Sequence, residues 1–247
     1  MDELVGNQAT LPPKTSYPRG VQMELALPHA FMADQSGARY VNEGGSYMSF
    51  CQAMLERHKK VPAIPSWMVV DSQYMRNYML AHTMPGSKKP RDWYSEGYLR
   101  TGKTIEELAV ACGIDPAKLK TTTDRFNGFA RNGRDEDFKR GDRAYDRWLG
   151  DFTHTPSATL GTVEEGPFFA IPVVPGDVGT YGGVVTDAHA RVLREDGSII
   201  PRLYATGTTT ASVMGRAYPG AGCSIGPSFT WGYVAAKHAA NLGNQRV

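Results

Sequence analysis

The sequence predicts an α+β fold on three observations: an apolar run at residues 64–71, two capped amphipathic helices between Thr104 and Gly133, and a strand-rich stretch from Pro167 that closes on a long apolar helix. Residues 1–36 show no sustained period and hold four prolines before Ala30, which predicts an irregular lead-in needing a further segment to pack against. Arg39-Tyr40-Val41 reads as a short strand, and residues 48–60 place Phe50, Met54 and Leu55 on one helical stripe, so Tyr47 falls at a strand-to-helix turn. Residues 64–71 read as a buried strand, followed by a helix over 73–80.

Thr104-Ile105-Glu106-Glu107 is a capping box, and Gly113 ends the helix it opens. Asp115-Pro116 starts a second helix, which buries Leu119, Phe126 and Phe129 and stops at Asn132-Gly133. Residues 134–151 mix both charge signs with Tyr145 and Trp148, the pattern of a solvated loop anchored by two aromatics. Strands are expected at 168–174, 182–186, 191–193, 199–200 across an Asp196-Gly197 turn, and 203–207. An apolar helix over about 224–240 completes the chain.

At 247 residues, 41% hydrophobic and 21% charged, the chain has the composition of a folded globular protein, with no run of roughly 20 apolar residues that could span a bilayer. Its formal net charge of +2 gives no reason to expect a nucleic-acid partner, and none is expected. Cys51, Cys112 and Cys223 are odd in number and widely spaced, which predicts reduced thiols and neither a zinc site nor a disulfide framework. The acidic start, Met1-Asp2-Glu3-Leu4, lacks the apolar core of a secretory signal, so a cytoplasmic location is expected, with peripheral membrane contact if the substrate is apolar. None of the six histidines has metal-ligand spacing or a serine and acid arranged for hydrolysis, so no metal is expected, and His238 reads as packed or capping.

The chemistry concentrates in Tyr218-Pro219-Gly220-Ala221-Gly222-Cys223-Ser224-Ile225-Gly226-Pro227, a glycine-rich turn leading into a long helix. Glycines let backbone N–H groups approach a ligand, and the unpaired donors of a first helical turn add partial positive charge, so the segment favours a bound anion or carbonyl. As a dinucleotide fingerprint it fails, because no strand precedes it at the right distance and no acidic residue follows.

The stretch from Leu203 to Ala236 resembles the C-terminal flavin-binding segment of the 3-ketosteroid Δ1-dehydrogenases, within the fumarate-reductase and succinate-dehydrogenase flavoprotein superfamily. The resemblance rests on Leu203-Tyr204-Ala205-Thr206-Gly207-Thr208, Val213-Met214-Gly215, Tyr218-Pro219-Gly220-Ala221-Gly222, Ile225-Gly226-Pro227 and Gly232-Tyr233. Further blocks stand in family order: Arg39-Tyr40-Val41-Asn42-Glu43 with Tyr47, Ile64-Pro65-Ser66-Trp67, Phe126-Asn127-Gly128-Phe129-Ala130, and residues 175–183 with Thr186-Asp187. It implies an FAD-dependent enzyme and three segments: the lead-in 1–36, a substrate-binding catalytic domain over 37–180, and at 181–247 the returning C-terminal part of an interrupted FAD-binding α/β domain.

Residue by residue, the resemblance implies that Tyr218 and the Gly222 N–H form an oxyanion hole for the C3 carbonyl of a 3-ketosteroid or similar apolar ketone. Tyr47 corresponds to the base that takes the C2 proton while hydride leaves C1 for flavin N5. Gly207, Thr208, Gly222, Ser224 and Ile225 correspond to cofactor contacts, with Thr208 standing where the family has asparagine. No Gly-x-Gly-x-x-Gly follows a strand near the N-terminus, so the resemblance implies an N-terminal FAD-binding half in the same gene product or in a separate chain, without which the enzyme is expected to be inactive. Two alternatives stay open: a fumarate-reductase-like flavoprotein acting on another alkene or ketone, and a truncated chain that folds without turnover.

Overall fold

The computed structural model describes residues 4–244 and divides into two compact units, one of residues 6–176 and the other of residues 177–244 with residues 4 and 5. In chain order the elements are β1 (Leu4–Thr10), β2 (Arg19–Gly20), α1 (Gln22–Leu25), β3 (Ala30–Ala33), α2 (Tyr47–His58), β4 (Ser66–Val70), α3 (Ser72–Asn77), α4 (Arg91–Ser95), β5 (Arg100–Gly102), α5 (Ile105–Cys112), α6 (Pro116–Asn132), α7 (Ala144–Trp148), β6 (Phe168–Thr180), β7 (Arg191–Leu193), β8 (Ile199–Tyr204) and α8 (Ile225–Asn244), with a 3-10 turn at Gly207–Thr209. The mixture of helix and sheet bears out the α+β expectation.

The larger unit is built on a sheet of order β2-β1-β6-β4-β3, with β5 also pairing β6. Every residue of β4 is buried, because the sheet is covered on both faces and alternate side chains enter different cores. Met68 and Val70 join Met32, Ile171, Phe50, Met54 and Tyr74 on one side. Trp67 and Val69 join Phe31, Ala170, Leu108, Leu119 and Phe126 on the other.

The two capped helices form as expected. Thr104 accepts from Glu107 N, Asp115 accepts from Lys118 N with Pro116 following, and Gly113 and Gly133 end the helices in the left-handed conformation. Glu107 accepts from Lys103 N (2.7 Å), one residue beyond the Thr104 N–H that a strict capping box would use.

Four expectations need correction. Residues 1–36 are not irregular: β1, β2, α1 and β3 lie there, and β1 pairs with β6, more than 150 residues away in sequence. Arg39-Tyr40-Val41 is not a strand; the strand is β3, which ends before the turn at 34–37, and Arg39 instead carries its charge into the interior. Residues 182–186 make only isolated bridges at Val184 and Thr186. Residues 134–151 are not a solvated loop: they contain α7, and Asp135, Arg140 and Asp146 are buried while Trp148 is 58% exposed.

The smaller unit holds the β7–β8 hairpin, which absorbs the separately expected strands at 199–200 and 203–207, and α8. His238 on α8 accepts or donates at Nδ1 to the Tyr204 hydroxyl (2.8 Å) and stacks on His189 (4.6 Å between centroids), a packed histidine as expected.

Candidate functional site

In the smaller unit, β8 delivers the chain to Thr206, whose hydroxyl donates to Ser228 O of α8 (2.9 Å). Gly207 follows at φ +72°, where a Cβ would lie 2.9 Å from Ser228 Oγ, so this close approach of turn to helix requires glycine. Thr208 is held through its backbone, its carbonyl accepting from the Thr180 hydroxyl (3.0 Å), while its side chain is exposed. Gly207 and Thr208 are thus brought beside the helix that begins just after Ser224.

The turn into that helix carries Tyr218, half-buried, and Gly222 at φ +93°, a conformation that side chains rarely adopt. Gly226 N donates to Gly222 O (2.8 Å), and Ser228 Oγ donates to Ser224 O (2.6 Å). Amides ahead of the first bonded turn of a helix have no partner within it, and they sit at its positive end. An open groove of about 490 Å³ lies here, lined by Val213, Met214, Gly222, Cys223, Pro227 and Trp231. A Cβ on Gly220, Gly222 or Gly226 would meet nothing within 4 Å, so the backbone faces open space that a ligand can approach. Ser224 and Ile225, both exposed, flank the same turn. These residues fit one end of a flavin: donors at the head of a 20-residue helix beside an apolar groove.

In the larger unit, Tyr47 is the first residue of α2, half-buried, with Ser46 as the N-cap accepting from Ser49 N. The turn before it is fixed from below. Asn42 Oδ1 accepts from Gly44 N (2.9 Å), and Asn42 Nδ2 donates to buried Asp146 (3.0 Å). Glu43, fully buried, accepts from Met32 N (3.0 Å) and from Arg39 at Nε (3.0 Å) and Nη2 (2.7 Å). Arg39 also donates to Asp135 (2.9 Å), and Arg140 lies 3.3 Å from Glu43 while donating to the Ala30 and Leu27 carbonyls (2.8 Å each).

Burial pushes the Glu43 carboxyl up, but Arg39 and Arg140 outweigh it and hold it below its ordinary value. Asp135 is likewise lowered, burial being overcome by Arg39 and backbone donors. This network was missed in the sequence; the one local signal was the i,i+4 spacing of Arg39 and Glu43. Among the described residues no group of three or more His, Cys, Asp or Glu could hold a metal ion.

A backbone-lined turn at a helix head suits a flavin, and the chain is a flavoprotein by family: it belongs to the FAD binding domain family, whose model matches residues 1–225. FAD is the cofactor of that family. Among individual proteins, the chain is 42% identical over 228 residues to a 3-oxosteroid 1-dehydrogenase of Mycobacterium tuberculosis, an alignment covering 90% of this chain and 40% of that protein. It is 35% identical over 222 residues to a 4-oxocyclohex-2-ene-1-carboxylate 5-dehydrogenase of Sinomonas cyclohexanicum, covering 90% and 38%. The crystal structure of 3-ketosteroid delta1-dehydrogenase from Sterolibacterium denitrificans in complex with 1,4-androstadiene-3,17-dione superposes with a TM-score of 0.92 at 35% identity, over 97% of this chain and 43% of that one. The resemblance read from the sequence is borne out, and the chain spans about two fifths of the length of these relatives.

Proposed function

We propose that this chain is the catalytic and C-terminal part of an FAD-dependent 3-ketosteroid 1-dehydrogenase. The observation that carries this is the Tyr218–Gly222 turn at the head of α8 beside an apolar groove, in a chain 42% identical to a 3-oxosteroid 1-dehydrogenase. Residues 6–176 form the substrate-binding unit and residues 177–247 the returning part of the FAD domain. Gly207, Thr208, Gly222, Ser224 and Ile225 hold the cofactor, mostly through the backbone. When bound, FAD supplies at N5 the acceptor for the hydride leaving C1.

The chain's own residues handle the proton and the developing charge. The Tyr218 hydroxyl and the Gly222 N–H donate to the C3 oxygen, which stabilises the enolate and acidifies C2. Tyr47 takes the C2 proton, and its place at the first position of α2 puts the residue at the positive end of that helix, the direction that favours a phenolate. Loss of hydride from C1 and of the proton from C2 leaves the C1–C2 double bond. An N-terminal FAD-binding half completes the site, and Ile225, Phe229 and Tyr233, exposed by 59%, 73% and 68%, offer it an apolar helix face.

A second reading follows from the Sinomonas relative: a smaller ring ketone that bears a carboxylate, desaturated by the same chemistry. Co-expression with an N-terminal half and anaerobic mixing with a 3-keto-4-ene steroid or with 4-oxocyclohex-2-ene-1-carboxylate separates the two. Flavin bleaching by the steroid is expected; bleaching by the carboxylate alone, or by neither, overturns the steroid reading. The chain on its own is expected to bind FAD weakly, and a yellow monomer with sub-micromolar affinity would show that the second half is dispensable for binding.

A further inference from the structure

We propose, on the reading of Tyr47 as the base, that Asn42 and Asp146 are positioning residues for the proton transfer, acting on Tyr47 through the Gly44-Gly45 turn. Tyr47 is the first residue of α2, and the helical ladder starts with Phe50 N donating to Ser46 O (2.9 Å). A residue at that position has no earlier helical turn beneath it, so the segment entering the helix decides where its side chain stands. The buried residues of α2 are Met48, Phe50, Cys51 and Met54, which anchor the helix body from the following residue onward.

The entering turn is held at its backbone and along its side. Asn42 Oδ1 accepts from Gly44 N (2.9 Å), and Asn42 O accepts from Gly45 N (3.2 Å). Asn42 is itself oriented by Asp146, which is fully buried on α7 and accepts from Asn42 Nδ2 (3.0 Å). The same Asp146 oxygen accepts from Gly141 N (3.2 Å) and the other from Arg143 Nε (3.0 Å), so the carboxylate cannot turn away from Asn42 without losing its other donors. A Cβ on Gly44 would lie 3.2 Å from Asp146 Cβ, and one on Gly45 would lie 3.1 Å from Asn42 O and 3.2 Å from Arg143 Nη2, so both glycines lie close against these residues. Arg143 also pairs with Asp146 in charge (2.9 Å), so what the carboxylate delivers to the turn is direction and not net charge. A reacting group moved by about 1 Å can lose on the order of 100-fold in rate, which makes the seating of this turn matter to the chemistry.

The test is the rate of flavin reduction at saturating 3-keto-4-ene steroid in the enzyme completed by an N-terminal half, with Asn42→Ala placed in the wild-type and in the Tyr47→Phe background. In the wild type, Asn42→Ala should slow reduction on the order of 10- to 100-fold with steroid affinity unchanged. In Tyr47→Phe it should slow the residual rate by less than about twofold, because a residue acting through Tyr47 has nothing left to position; a merely structural role would lower both rates by the same factor. Gly44→Ala, which pushes the turn off Asp146 without removing a polar side chain, should behave as Asn42→Ala does. Asn42→Asp sets two carboxylates face to face and should slow reduction to a similar degree; adding Asp146→Asn reverses donor and acceptor and should recover most of the loss. Far-UV circular dichroism and FAD content show that each variant is folded and loaded, and if Asn42→Ala does not fold, Gly44→Ala and the exchanged pair carry the test. Wild-type reduction in Asn42→Ala or Gly44→Ala, equal losses in both backgrounds, or no recovery in the exchanged pair would each overturn the proposal while Tyr47 stays the base. Wild-type reduction in Tyr47→Phe alone would instead remove the base, and the proposal with it.

Discussion

Tyr47→Phe, introduced into an enzyme completed by an N-terminal half, is expected to slow flavin reduction by roughly 100- to 10,000-fold while steroid affinity stays near wild type. The phenol oxygen is the proposed proton acceptor, and a benzene ring of the same shape keeps the packing at the head of α2. Tyr218→Phe should fail differently. It removes one of two donors to the C3 oxygen and should cost roughly 100- to 1,000-fold, with exchange of the C2 hydrogen against deuterium and flavin bleaching slowed together. Stopped-flow bleaching and hydrogen exchange at C2 are the measurements. If Tyr47→Phe exchanges the C2 hydrogen at the wild-type rate, the base is another residue.

Glu43→Gln is expected to destabilise the larger unit by about 3–5 kcal/mol, the usual effect of removing one member of a buried charge cluster. Glu43 faces Arg39 and Arg140, and Arg140 Nε already lacks a hydrogen-bond partner, so the guanidiniums would keep their charge with less to balance it. The sign of the pH dependence follows from the lowered carboxyl. A group whose folded pKa lies below its ordinary value of 4.5 contributes stability that is complete above that value and is lost as pH falls through the folded pKa. Urea midpoints of the wild-type chain should therefore drop as pH falls below about 4.5, and those of Glu43→Gln should drop less. A loss under about 1 kcal/mol in the variant would show the cluster to be well solvated.

What the sequence revealed was what its near neighbours decide. The caps at Thr104 and Asp115, the glycine ends at Gly113 and Gly133, and the buried run at β4 are short-range signals, and each element formed within a residue or two of its expected place. The lead-in misled because β1 gains its stability from β6, a partner that local periodicity cannot see. The charged stretch at 134–151 misled for a related reason. Mixed charges read as surface unless their partners are known, and partners of Asp135, Arg140 and Asp146 lie about 100 residues earlier, at the Arg39 and Glu43 charges and the Asn42 amide. At the candidate site, the glycine turn was legible as chemistry because positive-φ glycines before a helix are a local device. The roles of Tyr47 and Tyr218 came from likeness to a family, since nothing local distinguishes a catalytic tyrosine from a packed one.

The groove beside Gly222 also comes with its own chemical reporter. Cys51 and Cys112 are buried, and burial pushes each thiol up to about 12, so neither should react with an alkylating reagent at neutral pH in the folded chain. Cys223, half-exposed, lines the groove itself. A maleimide should therefore label one thiol per native molecule, and the labelling rate should fall as the groove fills. Mass spectrometry of this chain, labelled within an enzyme completed by an N-terminal half, would then read cofactor occupancy without turnover or colour, and a count of three would report unfolding.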